Sequence, residues 1–123
     1  LDQHPLPEDY FLYWEESEWF FRLAEAGATV EFRPDAVVVH QGGRDDVRPE
    51  KARLLARNAV RCIRRTRGRR AAAAAYPVVI AWWMRLVLVD VALALLGRRP
   101  WSAVTARGAG LGAAVGAWRE VTR

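Results

Sequence analysis

Apolar and polar positions change rhythm twice along this chain. From Tyr10 to Trp14 aromatic and aliphatic side chains run without a break, and acids then take over at Glu15, Glu16 and Glu18. Trp19, Leu23 and Ala26 recur at i, i+4 and i+7, which predicts a helix that starts at Glu15 or Glu16 and carries one apolar face. Its three early glutamates suit the positive end of a helix dipole. Gly27 is placed to close the helix, because glycine takes the left-handed conformation without a Cβ penalty. Then the period shortens. Thr29-Val30-Glu31-Phe32 predicts a strand, Pro34-Asp35 a turn, and Ala36 to His40 a second, buried strand ending in Gln41-Gly42-Gly43.

From Pro49 the pattern is helical throughout. Proline fits the first helical position, and Leu54, Leu55, Asn58, Cys62 and Ile63 form a partly apolar face. Seven arginines, from Arg57 to Arg70, crowd the rest of that segment, interrupted by Gly68. Ala71 to Leu96 holds only two ionisable residues, Arg85 and Asp90, together with Pro77. Gly97-Arg98-Arg99-Pro100 breaks the run, and Trp101 to Arg119 predicts a last helix weakened by four glycines. Gly108, Gly112 and Gly116, spaced by four, would allow a close helix contact.

Composition and charge refine this picture. With 123 residues the chain has room for one modest core, and 52% hydrophobic against 27% charged residues suits an ordered protein. Leu1 is not an initiating Met, which fits an excised piece, and the acidic N-terminal stretch lacks the basic region of a signal peptide. The single cysteine, Cys62, has no internal partner and favours a reducing, cytoplasmic setting. Residues 1–50 carry four Arg against twelve acids; residues 51–123 carry fifteen Lys or Arg against two. That division suggests two surfaces with different partners.

Two stretches together resemble a known family. The segment Asp9-Tyr10-Phe11-Leu12-Tyr13-Trp14-Glu15-Glu16-Ser17-Glu18-Trp19-Phe20-Phe21-Arg22 is similar to the acceptor-site segment of family-2, GT-A-fold, inverting glycosyltransferases. That segment has an aromatic run, an acidic pair, a third acid two residues on, and a later arginine. Ala26-Gly27 and Pro34-Asp35-Ala36-Val37-Val38-Val39-His40-Gln41-Gly42-Gly43 follow in the same order and spacing. Bacterial rhamnosyl- and galactofuranosyltransferases that build cell-surface polysaccharides are the members it resembles in style. The likeness covers residues 5–43 and is looser over the helical tail.

The resemblance implies specific roles. Glu16, the second acid of the pair, would be the general base that takes the acceptor proton. Glu18, Tyr13 and Trp14 would bind the acceptor sugar, and Glu15 would help position it. His40 would complete the coordination of a divalent metal, Mg or Mn, on the donor diphosphate. The pair is Glu-Glu here rather than Glu-Asp or Asp-Asp, and catalytic hydrogen bonds need heavy atoms within about 2.6–3.2 Å. The base therefore stays open between Glu16 and Glu15. Inversion suits such a carboxylate, with its pKa set by burial and neighbouring acids. No Asp-x-Asp motif and no Gly-rich phosphate loop occurs, so the donor half of the reaction is expected to be absent and the chain alone inactive. Bland alternatives stand beside these roles: three glutamates complementing a helix dipole, a strand-end histidine at His40, Trp19 in the core, and Arg22 pairing with a local acid.

The expected fold is thus α/β: residues 1–48 as part of a GT-A domain, an acceptor helix with two strands, and residues 49–123 as a tail of about three helices. The expected function is the C-terminal portion of a glycosyltransferase. It would move sugar from a nucleotide-sugar to a glycan or lipid-linked acceptor, as a peripheral protein at the inner face of a bacterial cell membrane. For the arginine-rich stretch, nucleic acid is set aside, since aromatic residues are not interleaved and no recognised motif is present. Anionic lipid fits better, at about 1 kcal/mol per basic residue near the surface. Arg85 and Asp90 make a membrane span costly and favour a helix lying on the surface or packed on protein. The alternative function is a non-catalytic, membrane-associated or partner-binding helical module.

Overall fold

The computed structural model describes residues 5–29, 31–39 and 48–122. Among them every regular element is helical: α1 (Glu15–Glu25), α2 (Pro49–Leu95), α3 (Trp101–Gly116) and α4 (Trp118–Thr122). The expected α/β fold, an acceptor helix with two GT-A strands, is therefore not what this chain adopts. Residues 31–33 and 36–39 are irregular, Pro34-Asp35 is a turn, and no strand is formed among the described residues. The physical reason is the absence of a pairing partner. Val37, Val38 and Val39 stand 81–85% exposed, and two short strands without a sheet or helix to cover them do not hold together in water. What orders this segment is local: Ala36 N–H donates to the Arg33 carbonyl at 3.1 Å, and Arg33 pairs with Asp35.

The C-terminus of α1 is built as its sequence suggests. Gly27 takes φ 79°, its N–H donates to Ala24 O, and Ala28 N–H donates to Leu23 O. That is the paired Schellman closure, which a side chain at Gly27 would strain. The face that α1 buries is the surprise. Its one fully buried side chain is Glu18, while Phe20 and Phe21 stand exposed.

α2 is two helical limbs rather than one rod. Gly68 has φ 82° and ψ 174°, a conformation only glycine adopts readily. On a straight helix positions 56 and 83 would lie about 40 Å apart, yet Ala56 and Trp83 share one buried cluster with Ala52 and Ala114. Val60 and Ala72 share another with Ala117 and Val121. The chain thus folds back at Gly68, and limb 49–67 packs beside limb 69–95. Small residues line the contact, so the helix axes can approach closely.

α3 returns along the second limb. Tyr76 donates to Val115 O, Trp83 meets Gly110, and Asp90 meets Arg107, a pairing that runs antiparallel. The close-contact glycine is Gly110. Gly108, Gly112 and Gly116, which the sequence spacing singles out, have nothing within 4 Å of a built Cβ. The resulting three-helix cluster is formed by the first limb, the near part of the second limb, and α3 with α4. At about 40 Å the second limb outruns the first by roughly 12 Å.

Candidate functional site

The most constrained backbone in the described chain lies immediately before the acidic pair. Tyr13 and Trp14 both have positive φ, 69° and 74°, although neither is glycine. Consecutive left-handed residues of this kind cost about 1–3 kcal/mol each and persist only where surrounding contacts over-determine them. Those contacts come from α2. Asn58, fully buried, donates through Nδ2 to the carbonyls of Leu12 at 2.8 Å and Tyr13 at 3.3 Å. Trp14 Nε1 donates to the Leu55 carbonyl at 3.1 Å. The turn is thereby held by one helical turn of the first limb, and α1 starts at Glu15 as a consequence.

Below this turn lies a buried charge network. Glu18 is 0% exposed and accepts a 2.5 Å hydrogen bond from the Tyr10 hydroxyl and a short one from Arg22. Arg65 stands 3.6 Å from the same carboxylate and pairs in two-pronged fashion with Asp9. Arg61 donates to the Asp9 carbonyl and pairs with Glu120. Arg61 and Arg65 also flank the Tyr10 ring, at 5.8 and 5.4 Å from its centroid. Part of the charge asymmetry is therefore neutralised inside the molecule, because Arg65 of the first limb meets Asp9 and Glu18 of the N-terminal half.

These contacts shift several groups. The Asp9 carboxyl is held below its ordinary value of 3.8, chiefly by its hydrogen bond from Arg65. Burial pushes the Tyr10 hydroxyl well above 10.0, with the Glu18 carboxylate adding to the effect. Burial likewise raises the Cys62 thiol, which keeps it protonated and poorly nucleophilic at neutral pH.

The predicted site residues separate into three groups. Glu16 lies on the exposed surface of α1, open to solvent, with Tyr13 and Trp14 half-buried just before it. Glu15 is half-buried, and its Oε2 is shielded from water without a hydrogen-bond partner among the described residues. Glu18 points into the protein and is occupied by Tyr10, Arg22 and Arg65, so the expected sugar contact from Glu18 does not fit its position. His40 lies outside the described residues, and no group of three or more His, Cys, Asp or Glu gathers among the described ones. The shallow cleft between Glu50, Arg53, Leu54, Arg57 and Ala113 contains none of the predicted site residues.

Asn58, Tyr10 and Arg65 were not singled out by the sequence as functional. One signal was present: Asn58 is a polar residue at an apolar-face position, and such a residue needs partners when buried. No protein-family model matches the chain, and no curated protein or solved structure matches it either.

Proposed function

We propose that this chain is the acceptor-side portion of an inverting, family-2-type glycosyltransferase. In this role Glu16 takes the proton from an acceptor hydroxyl as sugar is transferred from a nucleotide-sugar. One observation carries the proposal: a strained, doubly left-handed Tyr13-Trp14 turn, pinned by the buried Asn58, sits directly before the acidic pair. Backbone strain that a fold maintains by such contacts concentrates at functional sites. It also separates the two glutamates. Glu15 is half-buried, with one carboxylate oxygen closed off from solvent. Glu16 is open to an incoming alcohol, and the half-buried Tyr13 and Trp14 precede it in the chain. The resemblance of residues 5–43 supplies the reaction type. Since the 123 residues contain no Asp-x-Asp motif, the nucleotide-sugar and its metal fall to other polypeptide.

The test uses the enzyme that contains this segment, supplied with donor and acceptor. Glu16→Gln should lower turnover by about 100-fold or more, the usual worth of a positioned base, with donor affinity retained. Unchanged turnover would remove Glu16 from the chemistry. It would favour the second reading, a non-catalytic helical module, which the exposed apolar face of α2 supports.

A further inference from the structure

We infer that the outer face of the second α2 limb docks in the plane of an anionic lipid bilayer. The inference is independent of the transfer chemistry and stands or falls without it. Along residues 74–96 the outward positions include Ala74, Val78, Trp82, Arg85, Leu88, Ala92 and Leu95, with Leu96 at the cap; all are exposed, and all but Arg85 are apolar. Val78 is 68% exposed, Trp82 56% and Leu88 61%. The most apolar 18-residue window of α2 has mean hydropathy 2.1, yet only 17% of it is buried inside the protein. A core helix of a water-soluble bundle hides such a window; this one presents it. The stripe is roughly 33 Å long at 1.5 Å per residue.

Three further features identify lipid as the occupant. First, the acid in this segment is turned away from the stripe: Asp90 is buried, clasped by Arg99 and 3.4 Å from Arg107 of α3. Its charge is balanced on the protein side of the helix. Second, Arg67, Arg69 and Arg70 stand exposed where the stripe begins and Arg98 where it ends, a basic border suited to phosphate headgroups. Third, the one charge on the stripe, Arg85, stacks over Trp82 at 5.5 Å. Tryptophan and a long basic side chain both favour the interfacial zone, where the guanidinium reaches headgroups while its stem stays apolar. Arg85 also selects the orientation. In a crossing helix it would sit near mid-bilayer, whereas in a helix lying along the interface it stays at headgroup depth.

The experiment is flotation of the purified chain with phosphatidylcholine vesicles, with and without added phosphatidylglycerol. The chain should float with the anionic vesicles, and brominated acyl chains should quench its tryptophan emission. Val78→Glu with Leu88→Glu, both on solvent-exposed positions, should weaken binding at least about ten-fold with helical circular dichroism unchanged. Arg69→Glu with Arg70→Glu should weaken binding to anionic vesicles and leave the weak binding to neutral ones alone. Undiminished binding by the Val78/Leu88 variant would overturn the inference. So would a parent chain that stays in solution, or one that forms a dimer in water which the same two substitutions dissociate, since the stripe would then be covered by a second copy.

Discussion

The indole of Trp83 occupies the space that a side chain at Gly110 would need. A Cβ built at Gly110 falls within 2.6 Å of three atoms of that ring, and Gly110 and Trp83 are both buried where α3 meets the second limb of α2. The hairpin thus closes on a tryptophan seated over bare helix backbone. Gly110→Ala should cost about 1–3 kcal/mol through overpacking, seen as a lower denaturant midpoint. Gly108→Ala, on the same helix but facing open space, should gain about 0.5–1 kcal/mol from helix propensity. Equal effects at the two positions would mean that the Trp83 contact is not made.

Asn58 is expected to control the acidic turn from a distance of more than forty residues in sequence. Asn58→Ala leaves two carbonyls without their donor and should cost about 1–3 kcal/mol. Asn58→Asp should be worse, because a carboxylate would then face the Leu12 and Tyr13 carbonyls. Near-ultraviolet circular dichroism of the Tyr13-Trp14 region should change in both variants. A spectrum and midpoint like those of the parent would show that the turn holds itself.

Glu18 is buried with Tyr10, Arg22 and Arg65 as its partners. Neutralising it by Glu18→Gln should destabilise the chain by about 1–3 kcal/mol, the range for weakening charged hydrogen bonds of a buried group whose arginine partners stay partly solvated. Tyr10→Phe and Glu18→Gln share one hydrogen bond, so the double variant should fall short of additivity by more than about 0.5 kcal/mol. Strict additivity would argue that the two side chains do not meet in solution.

Tyr10 should limit stability on the alkaline side. An acid whose folded pKa is raised lends stability that is intact below its unfolded value and is lost as pH climbs toward the folded one. For Tyr10 the loss therefore begins near pH 10.0, its unperturbed value. Spectrophotometric titration should show one of the three tyrosines ionising only as the chain unfolds. Tyr10→Phe should remove that component.

Asp9 acts in the opposite sense at low pH. Its folded pKa is depressed below 3.8 by Arg65, so its contribution is present above that value and disappears as pH falls through the folded pKa. Half-exposed as it is, the pair should contribute less than about 1 kcal/mol. Asp9→Asn should flatten the acid limb of stability below pH 3.8 by no more than that. A larger change would mean that the contact is better shielded than its exposure indicates.

Local chemistry was enough to place several elements by sequence alone. Early acids mark the start of α1, Gly27 fixes its left-handed closure, Pro49 opens α2, and Gly97 to Pro100 separates α2 from α3, because each of these depends on neighbours within a few residues. Tertiary structure alone decided the rest. Whether Val37 to Val39 pairs into a strand depends on a partner that local sequence does not specify, and here those residues remain unpaired. Burial of Glu18 rather than Trp19 depends on Tyr10 and Arg65 arriving from elsewhere. Which glycine of α3 meets a neighbour depends on how that helix is rotated against the second limb, and spacing is blind to rotation. Docking of the N-terminal segment on the first limb of α2 brings Arg65 against Asp9 and Glu18, more than forty residues away in sequence, so a division of charge visible in the chain becomes contact only in the folded state.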